Sequence, residues 1–296
     1  MNPKQHLRVL FLAVRPKTLS AAVAPVMIGT TMAYAGGQGH AGAAFAALAG
    51  ALLIQIGTNF ANDYFDYLKG ADNEERLGPL RVTQAGFVAP ETMFRNFVLT
   101  FGLAALVGLY LVYRGGWPIV LIGLLSIASG ILYTAGPWPL GYLGLGDLFV
   151  LIFFGPVAVC GTFYVQALEV TEIVFYAGLG PGLLATALLA VNNLRDEPTD
   201  RKAGKLTLAV RFGPAFARAE YLALFASAVM LPVLLASWLN GKWYACISAL
   251  IIIPGYSAIR QIISGVSGRE LNQTLSTSGK LIILYSILFS IGWWIG

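Results

Sequence analysis

The stretch AAFAALAGALLIQIGTNFANDYFD, residues 43–66, is apolar through most of its length and then ends in amides and carboxylates. Residues 43 to 61 suffice to cross the hydrocarbon layer, which takes a helix of about 20 residues. At the far end Asn59, Asn62, Asp63 and Asp66 follow the i, i+3, i+4, i+7 spacing and share one face if the helix continues. Lipid does not solvate such a face. The stretch therefore predicts a membrane-crossing helix whose end opens on a hydrated or cation-filled recess.

The rest of the chain repeats the apolar half of this pattern. Spans are predicted at 18–34, 43–61, 92–113, 117–133, 146–167, 171–191, 217–239, 243–263 and 280–295. The 296 residues are 57% hydrophobic and only 11% charged, with a mean hydropathy of +0.72, which excludes a disordered, fibrous or ordinary soluble chain. The expected fold is an all-α integral membrane protein, a nine-helix transmembrane bundle forming a single domain over residues 1–296. The N-terminal run has a basic flank, but Leu7 to Ala13 is too short and too interrupted by Arg8 for a signal peptide and no small-residue cleavage pattern follows, so the N-terminus is expected to be mature and interfacial. With that end in the cytoplasm, only Arg114 and Lys242 of the 19 basic residues fall on the outer side. This asymmetry sets orientation. The net charge of +5 is thus a topology signal, and no nucleic-acid recognition module is visible. Cys160 and Cys246 lie in apolar stretches and suggest neither a disulfide framework nor a zinc cluster. The 34 glycines favour close helix packing.

Function is sought in the polar segments 66–91, 192–216 and 264–279 on the predicted cytoplasmic side. The second of these opens with Asn192-Asn193-Leu194-Arg195-Asp196-Glu197-Pro198-Thr199-Asp200. Helical spacing aligns Asn192, Asp196 and Asp200, although Pro198 is expected to bend or end the helix. Either cluster alone reads as a solvated helix end. Two on one side, each with amides phased onto carboxylates and basic residues nearby, point to shared metal ions. Oxygen-only donors suit Mg²⁺ and not a soft metal. Carboxylates bridged by Mg²⁺ hold a diphosphate, with Arg195, Arg201, Lys202 and Lys205 balancing its charge. The implied ligand is an amphiphile with a diphosphate head and a tail among apolar helices.

These residues reach a known family. Asn62-Asp63-x-x-Asp66 and Asn192-x-x-x-Asp196-x-x-x-Asp200 resemble the two aspartate-rich motifs of the UbiA superfamily of intramembrane aromatic prenyltransferases, and the nine-span plan resembles its fold over nearly the whole chain. Arg15-Pro16-Lys17-Thr18-Leu19, Asn59-x-x-Asn62-Asp63-Tyr64-Phe65-Asp66 and Gly204-Lys205-x-Thr207-Leu208-Ala209-Val210-Arg211-Phe212-Gly213 are most similar to the branch acting on 1,4-dihydroxy-2-naphthoate in menaquinone synthesis. Relatives acting on 4-hydroxybenzoate extend the first motif to a third aspartate, where this chain has Gly70, with Asp72 nearby.

The resemblance implies transfer of a polyprenyl group from polyprenyl diphosphate to 1,4-dihydroxy-2-naphthoate, with loss of the ring carboxylate to give demethylmenaquinone, in the bacterial inner membrane. Asp63, Asp66, Asp196 and Asp200 are the expected catalytic carboxylates. Mg²⁺ is expected on Asn62, Asp66, Asp196 and Asp200, with Asn59, Asp63 and Asn192 as neighbours or alternative ligands. Arg195, Lys202 and Lys205 are expected to anchor the diphosphate. Arg15 and Lys17, at the mouth of the first span, are candidates for the acidic aromatic substrate or the diphosphate; Tyr64 and Tyr133 are candidates for the allylic cation or the ring. Glu74, Glu75, Arg76 and Arg81 fall in a segment expected to cover the site. His6 and His40 are poorly placed for a general base, and Asp147 reads as a helix cap or a contributor to the site.

Three other readings compete. Another aromatic acceptor, such as 4-hydroxybenzoate or homogentisate, would use the same clusters. A cation-coupled secondary transporter would instead place its carboxylates near mid-membrane on matched, interrupted helices. Here the carboxylates sit at one membrane face. A noncatalytic scaffold is the third reading.

Overall fold

Within a bilayer only the chain itself satisfies peptide groups, so the apolar runs become helices. The computed structural model describes residues 3–70, 77–78, 80–238 and 242–296. Asp72, Glu74, Glu75 and Arg76 lie outside the described residues. The helices are α1 (Pro3–Val14), α2 (Pro16–Ala35), α3 (Ala41–Leu68), α4 (Pro90–Gly115), α5 (Trp117–Leu132), α6 (Gly146–Phe153), α7 (Pro156–Ala167), α8 (Glu172–Lys202), α9 (Leu208–Trp238), α10 (Ile252–Ile263) and α11 (Leu271–Ile295). No strand occurs among the described residues.

Among the described residues eight helical segments are long and apolar enough to cross a membrane. The predicted span at 117–133 is the shorter one. It becomes α5, whose 16 residues rise about 24 Å, less than the roughly 30 Å of a hydrocarbon core. Two other predicted spans are helical without being uniform. The span at 243–263 begins as a 3₁₀ segment, Trp243–Ile251, before α10. The span at 146–167 breaks between α6 and α7 at Phe154 and Gly155. This break packs against Gly178 and Gly182 of α8: a Cβ on Gly182 would lie 2.6 Å from the Leu151 carbonyl, and one on Gly178 2.8 Å from Pro156 Cα. Only glycine lets these backbones approach so closely.

The helices that matter most exceed their predicted spans. α3 continues to Leu68 and α8 to Lys202, so each carboxylate cluster rides on the last turns of one continuous helix. Pro198 neither ends nor interrupts α8. The α1–α2 corner turns at Arg15, which has a left-handed φ of 54°, a strained conformation for a residue with a Cβ. Asn59 of α3 holds the corner by donating to the Val14 carbonyl at 2.8 Å and to Thr18 Oγ1 at 3.0 Å.

Of the four apolar clusters among the described residues, two flank the site. Val9, Ala13, Phe60, Phe97 and Phe101 join α1, α3 and α4. Ile28, Phe163, Leu184, Phe225, Tyr285 and Phe289 join α2, α7, α8, α9 and α11. The carboxylate helices α3 and α8 thus belong to different cores, and a cavity lies between them.

Replacing Gly182 with Ala is expected to destabilise the protein by about 1–3 kcal/mol through overpacking. Gly102→Ala, where a Cβ meets nothing within 4 Å, serves as its control. Thermal unfolding in detergent should show a lower Tm for the first variant only; equal melting of the two would refute the close approach of the α6–α7 break to α8.

Candidate active site

A cavity of about 730 Å³ runs between the two cores. Along α3 it is lined from Ala47 to Asp66, a path of about 28 Å at helical rise. Most of its wall is apolar and comes from α4 to α7, including Val112, Ile122, Phe149 and Phe153. One end is polar, where Asn62 and Asp66 of α3 face Asn192, Asp196 and Asp200 of α8. An amphiphile with an anionic head matches this gradient.

Both clusters sit at helix C-termini, where the macrodipole adds negative charge to that of the carboxylates. Cations must offset it. Asp66, 1% exposed, is caged: Arg81 Nη2 donates to Oδ2 at 3.0 Å, Lys205 Nζ stands 3.2 Å from Oδ1, and the Tyr142 hydroxyl donates to Oδ1 at 3.1 Å. Lys69 and Lys205 also lie 4.7 and 4.9 Å from the Tyr142 ring centroid, a cation–π arrangement. Burial pushes the Lys69 ammonium below the ordinary lysine range; Asp66 opposes this and the Lys205 charge reinforces it.

Asp63 has a different task from its neighbours. Helical phasing placed it with Asn59, Asn62 and Asp66 on one face, yet only those three reach the cavity wall. The Asp63 side chain accepts the backbone N–H groups of Val82 and Thr83 at 3.3 and 3.4 Å. These open a compact turn closed by Ala85 N–H to Arg81 O and Gly86 N–H to Thr83 O, both 3.0 Å. Asp63 therefore anchors the turn that carries Arg81 to Asp66.

On α8, Arg195 is 1% exposed and grips its own neighbour. Its Nε and Nη2 donate to the two Asp196 oxygens at 2.8 and 2.6 Å, Nη2 donates to Asn192 Oδ1 at 2.8 Å, and Nη1 donates to Asn272 Oδ1 of α11 at 2.9 Å. Of five N–H groups, one on Nη1 has no partner among the described residues. Asn272 also donates to the Leu77 carbonyl at 3.2 Å, tying α8 and α11 to the segment before Arg81. The 205–211 segment locks onto the 142–144 loop: Leu206 N–H donates to Tyr142 O, and Arg211 donates to Leu143 O, each at 2.9 Å.

Of the residues singled out in the sequence, Arg15, Lys17, Asn59, Asn62, Asp66, Tyr133, Asn192, Arg195, Asp196, Asp200 and Lys205 line one cavity. Asp63, Tyr64 and Lys202 do not line it. Tyr64 packs in an aromatic cluster with Phe65, Phe94 and Phe97; Lys202 is exposed at the end of α8. Tyr142, Asn193, Asn272 and Gln55 were missed. Gln55, four residues before Asn59, extended the polar face by one turn and was legible. Tyr142 and Asn272 carry no local signal, because they reach the site only through long-range packing.

Among the described residues no group of three or more His, Cys, Asp or Glu side chains is placed to hold a metal. The hard oxygens of Asn62, Asp66, Asn192, Asp196 and Asp200 suit instead a cation that draws part of its shell from a ligand's phosphates.

Residues 22–273 match the UbiA prenyltransferase family. The chain is 39% identical to the 1,4-dihydroxy-2-naphthoate octaprenyltransferase of Mycobacterium tuberculosis, covering 92% of each protein. It is 35% identical to the enzyme of that name from Haemophilus influenzae, covering 99% of this chain and 97% of that one. A solved structure of a UbiA homologue from Archaeoglobus fulgidus bound to GPP and Mg²⁺ shares the fold, with a TM-score of 0.67 at 17% identity over 95% of this chain and 99% of that one.

Asp63→Ala removes both acceptors from the 81–86 turn, a loss of about 1.5–3 kcal/mol for hydrogen bonds to a charged group. Hydrogen exchange at Val82 and Thr83 should accelerate accordingly. Unchanged protection there would show that the carboxylate does not hold the turn.

Proposed function

Since the chain belongs to the UbiA prenyltransferase family, we infer that it transfers a polyprenyl group from polyprenyl diphosphate to 1,4-dihydroxy-2-naphthoate, releasing the ring carboxylate as CO₂ and giving demethylmenaquinol, the reduced form of the demethylmenaquinone of menaquinone synthesis. The observation that carries this reading is one long apolar cavity closed at a single end by carboxylates and amides from α3 and α8. The bacterial octaprenyltransferases that resemble the chain along nearly their full length supply the acceptor. We take the chain as one domain in the bacterial inner membrane, with α5 as a ninth, thin crossing and with the N-terminus and the polar end facing the cytoplasm.

Asn62, Asp66, Asp196 and Asp200 would hold Mg²⁺, backed by Asn59 and Asn192, while Asp63 holds the turn that carries Arg81; the structure of the Archaeoglobus homologue with GPP and Mg²⁺ supports that choice of metal. Bound there, the ion offsets charge that builds on the departing diphosphate. The chain's own cations do the rest. Arg81 and Lys205, which neutralise Asp66 without ligand, turn to the diphosphate oxygens when it enters. Arg195 fixes Asp196 and Asn192 in place and offers its remaining N–H to the diphosphate; Lys202, outside the cavity, adds long-range attraction. Arg15 and Lys17 supply positive charge for the naphthoate carboxylate, and Tyr133 presents its ring and hydroxyl from the wall.

The apolar wall then protects the allylic cation. Water would capture it, so the residues from α4 to α7 that accommodate the tail also keep the reacting carbon dry. With the acceptor ring held against that carbon, attack is effectively intramolecular.

Purified protein given a polyprenyl diphosphate and Mg²⁺ should convert 1,4-dihydroxy-2-naphthoate in preference to 4-hydroxybenzoate, measured by product mass and diphosphate release. EDTA should stop the reaction. Asp66→Asn and Asp196→Asn should each lower kcat by roughly 10²–10³, the range for lost charge stabilisation. Turnover of 4-hydroxybenzoate alone would overturn the acceptor, and no turnover by folded protein would overturn the reaction.

A further inference from the structure

Asp147 is a buried carboxylate that the site as described leaves unused. It stands in the first turn of α6, 6% exposed, and neither of its oxygens has a hydrogen-bond partner among the described residues. A bare buried acceptor is costly. Asp147 is not on the cavity wall, but Tyr133 is.

The Tyr133 ring lies against the backbone of Gly141 and Gly146. A Cβ on Gly146 would fall 2.9 Å from the Tyr133 hydroxyl, and one on Gly141 3.0 Å from its ring. The phenol therefore meets the foot of α6 one residue from Asp147. Glu220 of α9 is a further carboxylate near Asp147. Tyr133 thus joins the reaction chamber to a carboxylate outside it.

We propose that Asp147 is a positioning residue that acts through Tyr133, orienting the phenol toward the acceptor ring and receiving its proton while that ring is attacked. This rests on the reaction inferred above. As the ring carbon bearing the carboxylate bonds to the prenyl carbon, the ring loses aromaticity and a ring hydroxyl becomes strongly acidic. That proton passes to the Tyr133 oxygen while the Tyr133 proton passes to Asp147. Cleavage of the carbon–carboxylate bond then releases CO₂ and returns its electron pair to the ring. The proton travels back by the same path, leaving a quinol with Tyr133 and Asp147 as they began. Hydrogen bonds of such relays tighten when substrate binds, so no direct Asp147–Tyr133 bond is required in the ligand-free chain.

The test uses reconstituted full-length Asp147→Asn, Tyr133→Phe and the double variant, with diphosphate release and prenylated product followed separately across pH. Product kcat should fall by roughly 10²–10⁴ in each single variant, with diphosphate release and the KM for polyprenyl diphosphate as in the wild type. The double variant should fall no further than the weaker single one, and the loss of product kcat at low pH should flatten in Asp147→Asn. Gly146→Ala keeps the carboxylate but displaces the phenol, and should show the same separation of release from transfer even where Asp147→Asn does not fold. Wild-type kcat in Asp147→Asn, parallel loss of release and transfer, additive effects in the double variant, or coupled release and transfer in Gly146→Ala would each overturn the proposal. Wild-type protein that makes no naphthoate product would instead fell the inferred reaction, and this relay with it.

Discussion

The arrangement depends on negative charge held at the C-terminal ends of α3 and α8. Carboxylates there add to the helix dipoles rather than oppose them, and buried charge persists only when paired and hydrogen-bonded. Asp66 is met by Arg81, Lys205 and Tyr142, and Asp196 by Arg195. The three partners of Asp66 are each delivered by a different part of the chain: the turn anchored by Asp63, the segment after α8, and the loop before α6. Pairing these charges therefore closes the polar end of the cavity.

That closure also explains how one site serves a ligand of mixed polarity. Without ligand, protein cations occupy the carboxylate oxygens. A diphosphate arriving with a hard cation would exchange partners with them, its negative charge meeting Arg81 and Lys205 while the carboxylates would hold the cation. Because both states are charge-balanced, neither leaves a buried ion uncompensated. The apolar length of the cavity is independent of this exchange. It is set by helices of the two cores that flank it, and it would take the tail in either state.

Much of this was legible in the sequence because helix periodicity and membrane span length are local properties. Asn59, Asn62 and Asp66 reach the wall as their spacing predicted, and so do Asn192, Asp196 and Asp200. Asp63 did not follow the pattern because phasing fixes a direction and not a partner: it points into the 81–86 turn, whose backbone donors the sequence does not display. Pro198 was expected to bend or end a helix that continues to Lys202. Span lengths were blurred where helix geometry departs from uniform α, at the glycine-tight break between α6 and α7 and in the 3₁₀ segment before α10. Tyr142 and Asn272 were invisible for the same reason as the cage itself: they act across tertiary contacts between residues far apart in sequence.

The central claim is that the two clusters act as a single metal–diphosphate site. A double-mutant cycle tests it directly, using Asp66→Asn and Asp196→Asn and reading the Mg²⁺-dependent binding of an unreactive thiol analogue of polyprenyl diphosphate. One shared site predicts strong non-additivity, with the double variant binding no more weakly than the worse single variant. Additive losses, or binding indifferent to Mg²⁺ in the wild type, would contradict it.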